Sequence, residues 1–303
     1  MRVTLGREYV MQPPKVVAEI GCNHMGDLEI AKRMIVVAAT FGGADAVKFQ
    51  KRNNRELLPP EQYDAPHPVP ANSYGDTYGA HREFLEFSPD QHRELMETCA
   101  AHGVIYSTSV WDVSSAREMA AVGPEFLKVP SASNTHWDLL AVLCDEYKGK
   151  IQLSLGMTTR DEEERIVSFF EQRGRLNDVV LYACTSGYPV PANEVALLEV
   201  SRLKNAYGEL VEAIGFSGHH LGIALDVAAF TLGAEWIERH YTLDRTWKGT
   251  DHAASLEPDG LRKLTRDLHA VAEALEYKHT ELLPIELATR DKLKWRERQV
   301  AAE

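Results

Sequence analysis

Long apolar runs are absent from this 303-residue sequence. No stretch approaches the roughly 18 consecutive apolar residues that a membrane-spanning helix requires. The first 15 residues also lack the apolar segment of a secretory signal. We therefore expect no membrane association and a cytoplasmic protein.

Cysteine and positive charge are both in short supply. The four cysteines, Cys22, Cys99, Cys144 and Cys184, form no Cys-x-x-Cys pair, so we expect reduced thiols and no cysteine-rich zinc site. The net charge of −12 would repel nucleic-acid phosphates and anionic lipid, which argues against both as partners. A local cluster of Lys and Arg could still bind a small anion.

The chain is rich in short apolar runs that alternate with amphipathic segments. The apolar runs predict strands over 16–21, 46–50, 104–109, 126–131, 151–156, 179–186, 213–218 and 235–242. The amphipathic segments predict helices over 27–41, 88–101, 113–121, 136–147, 159–172, 192–206, 222–233 and 258–276. A polar segment rich in Pro and Tyr, 51–87, follows the second strand, and Ser88 with Gln91 predicts a capping box after it.

Eight strand–helix units in one chain favour a parallel sheet that is buried on both faces. Their number matches a closed (β/α)₈ TIM barrel, an α/β fold, with a doubly wound open sheet as the alternative. The expected organisation is an N-terminal hairpin over 1–14, a barrel domain over 15–280 and a charged C-terminal tail over 281–303.

Polar side chains collect where the predicted strands end, which is where TIM barrels place their chemistry. Two lysines, Lys48 and Lys128, together with several hydroxyls would suit a phosphate and a carboxylate. Two imidazoles, His219 and His240, end neighbouring strands and could bind one divalent metal. Taken singly, each lysine could be a solvated surface residue, each hydroxyl a helix cap and each histidine a structural residue. The prediction therefore depends on all of them lying at the same end of the barrel. An anion pocket beside a carbonyl-activating metal suggests that a phosphorylated acid condenses with an aldehyde or ketone.

Several blocks of sequence carry a family resemblance. These blocks are AEIGCNHMGD at 18–27, AVKFQ at 46–50, FSGHHLGI at 216–223, IERHYTLD at 237–244 and DHAASLEP at 251–258. In this order they resemble the sialic acid synthases, over nearly the whole chain. These enzymes condense phosphoenolpyruvate with N-acetylmannosamine or a related aldose, giving a 2-keto-3-deoxy sugar acid and phosphate.

The resemblance implies a role for each matching position. The metal, typically Mn²⁺ with Mg²⁺ or Co²⁺ as alternatives, would be held by His219 and His240. Phosphoenolpyruvate would be bound by Lys48, Thr108, Lys128, Ser131, Ser154, Ser186 and Ser217. The sugar and the reacting carbons would be contacted by Glu19, Gln50, Asn72, Tyr188 and Asp251. Arg82 on the polar segment is a further candidate anion contact, and a homodimer is implied.

The chain also departs from the family pattern. The family's usual Ser-Asp-His-Thr is Ser-Gly-His-His here, so we expect His219 to face the barrel and His220 either to support it or to belong to the loop. If the two rings exchange places, His220 is the alternative metal ligand. Ser133 stands where a Glu is common. Many members also carry a C-terminal domain that resembles antifreeze protein and contributes to the sugar pocket, and we expect this chain to lack it. The resemblance therefore supports N-acetylmannosamine only weakly as the substrate of this chain. A different aldose, or a phosphorylated one, is the alternative.

Two other functions remain as alternatives. A metal-dependent hydrolase on the same barrel would favour His-x-His after the first strand, where this chain has Asn23-His24. A non-catalytic protein that binds a sugar or phosphoenolpyruvate is the second alternative, motivated by Gly218 and by the C-terminal departure.

Overall fold

Eight parallel strands close into a barrel in the computed structural model, which describes residues 12–295. The strands pair in chain order, and the last pairs with the first. They are β1 Lys15–Gly21, β2 Ala46–Lys51, β3 Ile105–Val110, β4 Phe126–Val129, β5 Lys150–Ser154, β6 Val179–Cys184, β7 Ala213–Gly218 and β8 Trp236–His240. The (β/α)₈ prediction is confirmed.

Helices surround the barrel and follow its strands. They are α1 Leu28–Val37, α5 Pro89–Ala101, α6 Val113–Val122, α7 Trp137–Glu146, α8 Arg160–Gln172, α9 Leu198–Tyr207, α10 Ala224–Thr231 and α11 Pro258–Ala274. The polar segment 51–87 contains three short helices, α2 Asn54–Leu57, α3 Pro60–Tyr63 and α4 Tyr78–Phe84, and a 3₁₀ turn at Pro70–Asn72. The predicted capping box at Ser88 and Gln91 is present at the start of α5.

Residues two positions apart on a strand face the same side of the sheet. Inside the barrel, the inward-facing residues form an apolar floor and, two positions further along, a polar rim. The buried floor consists of Val17, Ala46, Phe126, Val180, Tyr182, Ala213 and Trp236. Two residues further along β1, β2, β4 and β8, on the same face, stand Glu19, Lys48, Lys128 and Glu238. A larger apolar core lies between the outward faces of the strands and the helices.

Two predicted helices differ at their ends. The helix predicted over 192–206 begins only at Leu198, because Ala192–Glu194 forms a 3₁₀ turn and Ala196 has a left-handed backbone with φ of 54°. The helix predicted over 27–41 is α-helical as far as Val37 and continues as a π-helical turn over Ala38–Gly42.

The ends of the chain are only partly described. The predicted hairpin lies outside the described residues except for 12–14, which form no strand. In the predicted tail, α12 spans Pro284–Leu293, and 296–303 lie outside the described range. No helix within 12–295 combines the length and apolarity needed to cross a bilayer.

Candidate active site

A cavity of about 490 Å³ opens at the carboxyl ends of the strands. Its lining includes every predicted site residue except Asn72 and Thr108, namely Glu19, Lys48, Gln50, Lys128, Ser131, Ser154, Ser186, Tyr188, Ser217, His219, His240 and Asp251. Arg82 from α4 also lines it. The structure therefore brings together residues from all parts of the barrel, although the longest separations exceed 200 positions.

Strand register corrects the prediction for Thr108, and Asn72 is not among the residues that line the cavity. Thr108 pairs with Phe49, and its neighbour Ser109 pairs with Gln50. Because side chains alternate along a strand, Ser109 enters the cavity and Thr108 faces the helical layer. Asn72 lies in the 3₁₀ turn of the polar segment and is not among the lining residues.

Strand register places Glu19 between a lysine and a histidine. Glu19 of β1 pairs with Lys48 of β2 on one side and with His240 of β8 on the other. Its carboxylate is buried and forms an ion pair with the Lys48 ammonium group. The Lys48 Nζ atom also donates a hydrogen bond of 2.7 Å to the Ser109 Oγ atom.

A second buried ion pair completes this cluster. The Lys128 Nζ atom lies 3.2 Å from the Glu238 Oε2 atom, and Lys48 Nζ lies 3.9 Å from the same oxygen. Ser217 donates to the other Glu238 oxygen at 3.1 Å. Two lysines and two glutamates thus balance one another inside the barrel, which is necessary because an unpaired buried charge is costly.

Burial and the neighbouring charges change the pKa values of the two acids in opposite directions. Burial raises the pKa of Glu19, although Lys48 opposes the change. Burial would also raise the pKa of Glu238, but Lys128 and Lys48 outweigh it and lower the pKa to about 2. Burial lowers the pKa of Lys128, and the like charge of Lys48 adds to the effect. Glu238 is therefore the firmly ionised partner of the two lysines.

The two predicted metal histidines face each other across β7 and β8. Their ring centroids are 5.3 Å apart, and the Tyr188 ring packs 4.4 Å from that of His219. Burial, followed by the charge of His240, lowers the pKa of His219 to about 3, so its imidazole is neutral as a metal ligand must be. The His219 Nδ1 atom is 3.1 Å from the Thr185 carbonyl oxygen, which assigns the ring proton to Nδ1 and leaves Nε2 free.

These imidazoles fit a divalent cation. The His240 Nδ1 atom is buried without a hydrogen-bond partner, and Asp251 Oδ2 lies 3.8 Å from it. Within 12–295, no group of three or more His, Cys, Asp or Glu side chains could enclose a metal ion. The protein's share of a cation site would consist of the two imidazoles, and the remaining positions would be open to water and substrate.

His220 points away from the cavity and supports the strand ends. Its Nε2 atom is 3.1 Å from Arg239 Nη1, and its carbonyl oxygen accepts 2.6 Å from Arg239 Nη2. Arg239 is fully buried and pairs with Asp226 of α10. Of the two adjacent histidines, His219 therefore faces the cavity as predicted, and His220 belongs to the buried network behind it.

The serine side of the cavity depends on a glycine. Gly156 donates its backbone N–H to Ser131 Oγ at 3.1 Å. A Cβ atom at Gly156 would lie 2.6 Å from the Ser131 oxygen and would also clash with Ser186. A side chain at this position would therefore require both hydroxyls to move away from the backbone. Ser133 instead donates to the Trp111 carbonyl oxygen at 2.9 Å and is not a lining residue.

Several lining residues received no role from the sequence. They include Glu238, Ser109, Arg52, His67 and His81. Glu238 and His240 are two positions apart on β8 and therefore face the same side, so Glu238 could have been predicted from the sequence. The two histidines lie on the polar segment, where no periodic pattern indicated which side chains turn inward.

Fold and cavity together define a (β/α)₈ barrel protein with a cavity lined by charged and polar side chains at the carboxyl ends of its strands. The NeuB family model matches residues 34–280 of the chain. The chain is also 38% identical over 287 residues to human N-acetylneuraminate-9-phosphate synthase, covering 93% of this chain and 76% of that protein. It is 32% identical to N,N'-diacetyllegionaminic acid synthase of Campylobacter jejuni, covering 88% and 78% respectively.

A solved structure agrees with these relatives. The N-acetylneuraminic acid (sialic acid) synthetase of Leptospira borgpetersenii, in complex with citrate, superposes with a TM-score of 0.77 at 30% identity and 94% coverage of both chains. The chain belongs to the NeuB family of sialic acid synthases, as its sequence resemblance predicted.

Proposed function

We propose that the protein condenses phosphoenolpyruvate with an aldose, giving a 2-keto-3-deoxy sugar acid of sialic-acid type and inorganic phosphate. The observation that supports this proposal best is a single cavity lined by two lysines, two facing imidazoles and several hydroxyls. Lysines and hydroxyls suit a small, doubly anionic donor, and the imidazoles at the ends of β7 and β8 line the same cavity.

The donor would bind at the lysines. Lys48 and Lys128 hold the carboxylate and phosphate of phosphoenolpyruvate, and the hydroxyls of Ser131, Ser154, Ser186 and Ser217 complete its hydrogen bonds. Glu19 and Glu238 balance these lysines before the donor arrives. Orienting both reactants in one cavity supplies much of the rate enhancement.

Bond formation follows from the chemistry of the two substrates. The C3 atom of phosphoenolpyruvate attacks the aldehyde carbon of the open-chain sugar, and the aldehyde oxygen takes a proton to become a hydroxyl. Water adds to C2, its proton passing to Glu19, to phosphate or to solvent. Cleavage of the C–O bond then expels phosphate and leaves the 2-keto acid. No covalent enzyme intermediate is required.

His219 and His240 would hold a divalent cation, with Mn²⁺ proposed and Mg²⁺ or Co²⁺ as alternatives. When bound there, such an ion supplies Lewis-acid polarisation of the aldehyde oxygen. Gln50, Tyr188 and Asp251 line the same cavity and would position the sugar.

The human relative's name suggests a phosphorylated aldose. Three carbons come from phosphoenolpyruvate, so carbon 9 of a nine-carbon product corresponds to carbon 6 of the aldose. An N-acetylneuraminate 9-phosphate synthase therefore uses an aldose that carries its phosphate on O6. We propose N-acetylmannosamine 6-phosphate or a close analogue as the substrate here. The family resemblance also supports a homodimer, which analytical ultracentrifugation would test.

One assay tests the reaction. The protein is incubated with Mn²⁺, phosphoenolpyruvate and a panel of free and 6-phosphorylated aldoses, and both phosphate release and 2-keto acid formation are measured. Aldose-dependent release of both products is expected. Binding of either substrate without turnover on the full panel would instead favour the non-catalytic binding protein.

The hydrolase alternative receives no support from His24. Its ring stacks on Phe87 at 4.1 Å and its Nδ1 atom accepts a hydrogen bond from the Gly26 N–H at 3.1 Å. It does not line the cavity, and burial lowers its pKa to about 3. His24 is therefore part of the packing between the first loop and the polar segment.

A further inference from the structure

Among residues 12–295, one cation that lines the cavity forms no ion pair. Lys48 pairs with Glu19, Lys128 with Glu238, and Arg52 with Glu86 at 2.6 Å. Arg82, in contrast, has neither an ion pair nor a side-chain hydrogen bond to any described residue, although it is half-buried and lines the same cavity.

Aromatic rings and a like charge surround this guanidinium. Arg82 lies over the Tyr78 ring at 5.3 Å and over the Trp111 ring at 5.8 Å. Arg52 lies over the same Trp111 ring at 5.9 Å. Burial, followed by the charge of Arg52, lowers the pKa of Arg82, because both disfavour its charged form. The rings hold the guanidinium in place but do not neutralise it.

Two imidazoles beside Arg82 present further donors. His81 accepts a hydrogen bond at Nδ1 from the Tyr74 N–H at 3.1 Å, and His67 accepts at Nδ1 from the Val69 N–H at 3.0 Å. Each acceptance assigns the ring proton to Nε2. Both rings are buried and line the cavity, and across residues 12–295 neither Nε2–H has an acceptor. Burial, followed by His67, lowers the pKa of His81 to about 4, so it donates as a neutral ring.

The donors all lie on the segment 51–87, whereas Lys48 and Lys128 lie on β2 and β4. Tyr74 anchors this segment to the loop after β8 by donating its hydroxyl to the Lys248 carbonyl oxygen. A group bound here would thus share the cavity with phosphoenolpyruvate and still contact different side chains. A neutral sugar hydroxyl would leave the Arg82 charge uncompensated, whereas a phosphate monoester would match it with a planar, bidentate contact.

We propose that Arg82, His67 and His81 form the subsite that binds the terminal phosphate of the aldose, so that this chain selects a phosphorylated aldose over the free sugar. The inference rests on the proposed function for the identity of the second substrate. It adds to the proposed function by naming the side chains that would bind the phosphate. Arg82 supplies the charge, and the two imidazoles supply neutral hydrogen bonds.

The test measures binding separately from turnover. Calorimetric titrations compare N-acetylmannosamine 6-phosphate with N-acetylmannosamine, in EDTA and saturating phosphoenolpyruvate, so that the lysines are already occupied. We expect the phosphorylated sugar to bind the unaltered protein more tightly, and Arg82→Gln to reduce that preference by about 10- to 100-fold. Arg82→Lys should recover only part of it because an ammonium group cannot make the bidentate contact. The exposed Arg55→Gln on the same segment is the matched control and should keep the preference.

Kinetics give the second readout, as the ratio of kcat/KM for the phosphorylated sugar to that for the free sugar. A ratio that falls in Arg82→Gln, with the KM for phosphoenolpyruvate unchanged, supports the subsite. An equal preference in Arg82→Gln and the unaltered protein overturns it, as does tighter binding of the free sugar. Absence of turnover with every aldose would count against the proposed reaction alone, since the titrations still decide the phosphate subsite. Circular dichroism spectra and melting temperatures verify that each variant is folded.

Discussion

At the scale of single residues, the cavity is organised by compensation of charge. Glu19, Lys48, Lys128 and Glu238 are all nearly inaccessible to solvent, and each has an opposite charge beside it. Such pairs seldom add stability, but breaking one leaves a charge stranded in a low-dielectric interior. The same cluster that would bind the donor therefore also limits which substitutions the barrel tolerates.

Removing Lys128 should expose this dependence. Lys128→Met leaves Glu238 with only the more distant Lys48, and we expect the free energy of unfolding to fall by about 3 kcal/mol. The double variant Lys128→Met/Glu238→Gln should regain most of that loss while remaining inactive, because a positive charge for the donor is still missing. Urea unfolding and phosphate-release assays measure the two effects. The exposed Lys263→Met serves as control, and a double variant no more stable than the single one would contradict the charge argument.

His240→Ala addresses the imidazole pair. Loss of one of the two imidazoles proposed to hold the metal should abolish metal-stimulated activity while the circular dichroism spectrum stays unchanged, because His240 lies at the rim rather than in the apolar core. Phosphate release with and without Mn²⁺ is the measurement, and the exposed His269→Ala is the control. Full activity in His240→Ala would remove this residue from the mechanism.

At the scale of elements, local signals set where helices begin. Ser88 Oγ accepts from the Gln91 N–H at 3.3 Å, and Gln91 Oε1 accepts from the Ser88 N–H at 2.9 Å. These reciprocal bonds satisfy two donors at the start of α5. They also end the polar segment 51–87, so the cap determines where the segment that carries Arg82 rejoins the barrel.

Ser88→Ala should weaken α5 without affecting the cavity directly. We expect a loss of about 1 kcal/mol in the free energy of unfolding, the usual contribution of a Ser cap. Chemical denaturation of the variant, compared with the exposed mid-helix Ser168→Ala, provides the measurement. Equal losses in the two variants would show that the cap contributes nothing specific.

At the scale of the whole molecule, burial of histidine links stability to pH. Burial is the main cause that lowers the pKa of both His24 and His92 from 6.5 to about 3. His92 also shares a hydrogen bond with the Tyr106 hydroxyl behind the barrel wall. In the unfolded chain these rings take up protons as the pH falls through 6.5, whereas in the folded protein they stay neutral until about 3.

Stability should therefore fall as the pH decreases from 6.5 toward 3. Each such histidine contributes up to about 1.4 kcal/mol per pH unit in that window. His92→Gln should lower the slope of the free energy of unfolding against pH by up to this amount. The difference should be measured between pH 6 and pH 5, which lies roughly half a unit or more below the histidine pKa in the unfolded chain. Urea unfolding at a series of pH values measures the slope, with the exposed His102→Gln as control. A slope that is the same in all three proteins would exclude His92 as a contributor.

Much of this architecture could be predicted from the amino-acid sequence alone. Periodicity is a local property, so the apolar runs predicted eight strands and the capping box predicted the start of α5. The strand-end lysines and histidines could likewise be assigned to one rim, because parallel strands of a closed barrel all end on the same side.

Closure of the barrel and long-range packing decided the rest. Alternation along β3 allowed either Thr108 or Ser109 to face inward, and only the pairing of Ser109 with Gln50 selected between them. Likewise His219 faces the cavity because Arg239 and Asp226 hold His220 behind it. Arg82 lines the cavity without an ion pair to any described acid because of how the aperiodic segment 51–87 folds over the barrel. Such contacts join positions far apart in the chain, and no local pattern encodes them.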